Sequence, residues 1–180
     1  MDREGCLRSA KTTGAFSGAM RPNLIDLLDA VGLQSALRIS TCASLFGDAA
    51  DLVQTTSVLR NPVFLRGGNY NGTPSMMTTP FLRAQLLDHF GQDVKNWGDA
   101  VFVPLGHRTA EALEFLAGEG LIARSRILDG LPHPSGANSE RIAYFLGRKS
   151  RAALSTRTDP EKLDRNRERL CTKACLMQVA

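Results

Sequence analysis

The sequence predicts an α/β protein, a parallel β-sheet with helices on both faces. Three observations lead there. "DAVFVPLG" (99–106) is a continuous apolar run, the pattern of a strand buried on both sides of a parallel sheet. "HRTAEALEFLAGEG" follows it at once with helical spacing, and "SRILDGLP" (125–132) then "SERIAYFLG" repeat strand, loop and helix. Such alternation implies parallel strands joined by right-handed crossovers, with ligands at the carboxyl ends of the strands.

Taken in order, "MRPNLIDLLDAVGL" (20–33) reads as a helix. Pro22 suits its first turn, Leu24, Leu27, Leu28 and Val31 recur at helical spacing, and Gly32 stops it. "STCASLF" (40–46) is a short second helix, and the β-branched "DLVQTTSVL" (51–59) a strand. "NPVFLRGGNYNGTP" (61–74) is a long exposed loop of the kind that carries function. "TPFLRAQLLDHFG" (79–91) is a helix capped by Thr79, with Pro80 at its first position. After Gly147 the apolar periodicity fades, and the remainder reads as a weakly packed tail.

Composition narrows the function classes. The 180 residues are 43% hydrophobic and 22% charged, enough for one real core. No apolar run reaches the ~18 residues of a membrane span, and the N-terminus has no secretory h-region, so a cytoplasmic protein is expected. Residues 148–173 hold nine Lys/Arg and four Asp/Glu, while the rest of the chain is nearly neutral. That basic stretch is either a solvated helix or a phosphate-attracting arm. Cysteines at 6, 42, 171 and 175 form no CxxC pair and have no nearby histidine, so they read as free thiols, and no metal or cofactor is expected.

"LPHPSGANSERIAYFLG" (131–147) is the candidate site. Pro132 and Pro134 fix the backbone on either side of His133. Ser135 reads as an N-cap, and Gly136 and Ala137 leave first-turn N–H groups open to an anion. A histidine before a capped helix also suits a purely structural role. His107, at the start of a helix after a strand, is an outside candidate, and His89 lies on an amphipathic helix.

"LPHPSGANSERI" resembles the second signature motif of the uracil-DNA glycosylase superfamily, in which His-Pro-Ser or Asn-Pro-Ser precedes a small-residue loop and a helix. "TGAFSGAMRPNLIDLLDAVGL", "LVQTTSVLRNP" and "AVFVPLGHRTAEAL" are similar to further segments of that family in the same order, so the resemblance spans residues 12–148. It implies base excision repair: a deaminated base is flipped from DNA and its N-glycosidic bond hydrolysed. It implies that His133 donates a hydrogen bond to the departing base, that Pro134, Ser135, Gly136, Ala137 and Asn138 meet the DNA, and that Arg141 adds a contact. Thr56, Ser57, Asn69 and Tyr70 are the expected walls of the base pocket.

The family's first motif, a Gly- and Pro-containing loop that positions the attacking water, has no match. "DREG" and "TTGAFSG" lack the proline and no apolar strand precedes them. The expectation is therefore a domain over 1–148 that lacks its N-terminal motif and first core strand, followed by a basic tail over 149–180. The alternative function is a catalytically impaired DNA-binding remnant of the same fold. A nucleotide-binding α/β protein ranks lower, since neither GxxxxGK[ST] nor GxGxxG occurs.

Overall fold

The computed structural model describes residue 16 and residues 18–177. Its contacts divide the chain into two compact units, residues 1–55 with 130–180, and residues 56–129.

In the first unit, α1 (Met20–Ala30) buries Leu24, Leu27 and Leu28, the stripe that the periodicity foretells. Gly32, at φ +82°, turns the chain into α2 (Leu33–Ala36). Asp29 fastens the next segment: its carboxylate accepts from the Thr41 hydroxyl (2.6 Å) and the Cys42 N–H (2.7 Å). That holds a 3₁₀ turn, Cys42–Phe46, against α1. Burial, and then the Asp29 carboxylate, push the Cys42 thiol well above its ordinary range.

The second unit contains the hairpin β1 (Phe64–Leu65) and β2 (Gly68–Asn69), whose two-residue turn is Arg66-Gly67. Their φ values of +52° and +80° fit the mirror-image turn that matches strand twist. Then come α3 (Pro80–Gln85), a π-helical turn over Leu86–Phe90, and α4 (Gly91–Lys95). The wider turn keeps Leu86 and Phe90 inside. They join Leu82, Val94, Phe102 and Ile127, with Ala112, Leu113 and Leu116 of α5 (His107–Gly118), in one apolar cluster. Trp97 lies against both Phe90 and Phe102.

The expected parallel sheet is not what forms: the only sheet among the described residues is the two-stranded antiparallel hairpin. In the run 99–106 Phe102 alone pairs, donating to the Arg126 carbonyl and accepting from the Leu128 N–H. This single parallel bridge to Ile127 stands where two strands were expected. Residues 51–59 form no strand either; a 3₁₀ turn occupies Ala50–Leu52, and Leu52 and Val53 are exposed. A continuous apolar run reports burial, and the side of a helix buries it as well as a second strand does. Thr79 takes the expected N-cap position with Pro80 first in the helix, but its hydroxyl donates back to the Ser75 carbonyl and makes no capping bond.

Residues 149–180, expected as a loose basic tail, instead hold α7 (Pro160–Met177). It buries Leu163, Leu170 and Ala174 and packs on α2 and on α6 (Ser139–Phe145). Its stripe is narrow and surrounded by charge, which hides it from a hydropathy pattern. Among the described residues no helix is long and apolar enough to cross a membrane.

Candidate functional site

The stretch 130–141 lies within the first unit. Pro132 and Pro134 are both buried; each fixes its own φ on either side of His133, and Pro134 disfavours a helical backbone for the histidine that precedes it. The ring between these anchors is half-buried, while Gly136 and Ala137 beyond it are exposed. Two distant side chains hold the loop. Asn23 of α1 donates to the Pro134 carbonyl at 2.9 Å, and Asn166 of α7 donates to the Gly130 carbonyl at 3.1 Å. Gly130 sits at φ +111°, and a Cβ there would come within 2.8 Å of Asn166 Cγ, so α7 reaches the loop only because this residue is glycine.

Hydrogen bonds then run outward from the imidazole. The Ser135 N–H donates to His133 Nδ1 at 3.2 Å, and the Ser135 hydroxyl lies 3.0 Å from the same nitrogen. Asn138 Nδ2 donates to that hydroxyl oxygen at 3.2 Å, which leaves the hydroxyl proton free to point at Nδ1. Because a backbone N–H can only donate, Nδ1 is an acceptor, and a neutral ring carries its proton on Nε2. Arg141 continues the chain, donating to Asn138 Oδ1 (2.8 Å) and to the Arg157 carbonyl (3.1 Å).

Ser135 is therefore not the helix cap that its position suggested. A 3₁₀ turn, Gly136–Asn138, intervenes before α6, and the serine hydroxyl turns back to the imidazole. The neighbouring Glu140 accepts from Lys149 Nζ (2.8 Å), from the Ser155 N–H and hydroxyl (3.1 and 2.6 Å) and from the buried Thr158 hydroxyl (2.6 Å). Lys149 first, then Ser155 and Thr158, hold its carboxyl well below the usual carboxylate range. Residues 149–158 are thereby strapped to the first turn of α6.

The structure brings His133, Ser135, Asn138 and Arg141 into one bonded chain. Thr56, Ser57, Asn69 and Tyr70 belong to the second unit. The first three are exposed, and the Tyr70 hydroxyl donates to the Pro74 carbonyl. His107 is a surface residue paired with Glu111 at 3.1 Å, and His89 lies in the π turn. "DREG" and Cys6 fall outside the described residues, as does most of "TTGAFSG". Among the described residues no group of three or more His, Cys, Asp or Glu side chains is placed to hold a metal ion.

Sequence reasoning missed Asn23 and Asn166. Both are asparagines within helices, where the residue is unfavourable unless its side chain has a partner, and that was the available signal.

No protein-family model matches the chain, and no solved structure matches it. It is 36% identical over 150 residues to the uncharacterized protein YoxB of Bacillus subtilis (strain 168). The match takes in 82% of this chain and 59% of YoxB, so the chain spans about three-fifths of that relative's length.

Proposed function

We propose that this protein is a DNA-repair glycosylase of the uracil-DNA type, a cytoplasmic hydrolase that flips a deaminated base such as uracil out of DNA and releases it. The observation that supports the reading is the Ser135 N–H on His133 Nδ1, which makes Nε2 the donor nitrogen of a neutral ring. The proposal stands on this local geometry and on the resemblance of the motif, not on the sheet architecture of that family.

In the reaction the bond between C1′ and the base nitrogen breaks, and its electron pair leaves with the base. Water supplies the oxygen that bonds to C1′, and the proton it loses passes through solvent to the departing base anion. His133 Nε2–H donates to the base oxygen where the charge collects. A fixed donor of this kind contributes roughly 3–4 kcal/mol to such a transition state. The exposed Gly136 and Ala137 face the duplex, and Arg141 adds positive charge at one end of the hydrogen-bonded chain.

Incubation with uracil-containing single- and double-stranded oligonucleotides tests the proposal. Base release, read as alkali-labile abasic sites and lost in His133→Ala, is the expected result. A folded preparation that neither binds nor cuts these substrates overturns it. A second reading, DNA binding without base release, draws on the exposure of Thr56, Ser57 and Asn69, the residues expected to wall the pocket. Retention of the oligonucleotide with no free base separates the two.

A further inference from the structure

The arginines of the first unit differ in what they face. Arg148 pairs with the Asp26 carboxylate (2.7 Å) and Arg151 with Glu161 (3.0 Å), so their charges are locally neutralised. Arg141 has only neutral acceptors, an amide oxygen and a backbone carbonyl, and keeps its full charge. The exposed Arg157 side chain has no hydrogen-bond or ion-pair partner among the described residues, yet its carbonyl is tied to Arg141. Of the carboxylates close by in sequence, Glu140 is taken up by Lys149, Ser155 and Thr158, Asp159 accepts from the Lys162 N–H (3.0 Å), and Glu161 pairs with Arg151. The strap therefore brings the backbone of Arg157, whose guanidinium is exposed and uncompensated, to the end of the hydrogen-bonded chain that starts at His133.

We propose that Arg141 and Arg157 together form a contact for the phosphate backbone of a DNA strand, with Arg157 a binding residue that the motif alone does not include. The inference rests on the proposed DNA-directed function for its choice of polyanion. Its physics is general: each cation that neutralises a phosphate releases condensed counterions and steepens the salt dependence of binding. Arginine suits the task because its planar fork can bind phosphate oxygens in pairs.

The test is fluorescence anisotropy with an undamaged duplex of about 20 base pairs between roughly 50 and 200 mM salt. Arg157→Gln is expected to weaken binding and lower the log–log salt slope by about 0.9. Arg157→Lys, which keeps the charge, restores most of that slope. Arg151→Gln, whose partner is a carboxylate, leaves it unchanged. An unaltered slope in Arg157→Gln overturns the inference, as does displacement of the duplex by inorganic phosphate at matched ionic strength. Uracil release is measured in parallel on the same proteins. A slope that depends on Arg157 without uracil release sinks the glycosylase reading and keeps this one; release with an unaltered slope does the reverse.

Discussion

Residues 61–74 and residues 130–138 share a composition of Gly, Pro and Asn and have opposite physical character. In the first, Pro62 and Pro74 are exposed, and Phe64 and Leu65 stand 65% and 47% open to solvent. In the second, Pro132 and Pro134 are buried, and every polar side chain from His133 to Arg141 except Ser139 has a hydrogen-bond partner. Proline limits the backbone in both loops, but only a buried proline also fixes where the neighbouring side chain lies. Composition marks a loop; anchorage turns it into a site.

Perturbing the two loops and their supports should keep them apart. The largest effect is expected in the core of the unit that carries the anchored loop. Phe145→Ala on α6, whose ring is 2% exposed, should cost about 3–5 kcal/mol in urea unfolding. His133→Ala should leave the fold intact and slow base release by about 10²–10³-fold, whereas Tyr70→Phe in the exposed loop should stay near the wild-type rate in the same assay. Equal losses would erase the distinction between the loops.

Gly130→Ala comes next. It meets both a left-handed backbone and the Asn166 side chain, so a loss of about 1–3 kcal/mol is expected, together with faster proteolysis near 130–138. Gly67→Ala strains the hairpin turn but meets no atom within 4 Å, and should cost less.

Glu140 gives a pH test. Its folded-state pKa lies below the ordinary 4.5, so its contribution is fully present above that value and is lost as pH falls toward the folded value. Glu140→Gln should therefore be less stable than wild type at pH 6, and the gap should start to narrow as pH falls below 4.5, read from urea midpoints. A gap that is constant with pH would mean that the strap draws nothing from the charge. The smallest effect is expected in the exposed loop, where Phe64→Ser should change stability by less than about 0.5 kcal/mol.

The helices were largely legible. Apolar spacing placed α1, α5 and α6, because a helix writes its buried face locally, at intervals of three and four residues. The prolines around His133 were legible too, since they restrict the backbone whatever surrounds them. The sheet was not. Apolar character at 99–106 is real burial, but pairing depends on a partner strand, and only Phe102 finds one.

By itself the sequence determined the helical faces, the stiffness around His133 and the placement of excess charge after residue 147, all properties of short windows. Tertiary structure alone decided that this charged segment packs as α7, that Asn23 holds a carbonyl 111 residues away, and that Asn166 reaches back 36 residues to Gly130. Such bonds join groups whose separation along the chain carries no local signal. They form only once burial of the apolar stripes has brought the helices together, and they are what turn a stiff loop into a fixed imidazole.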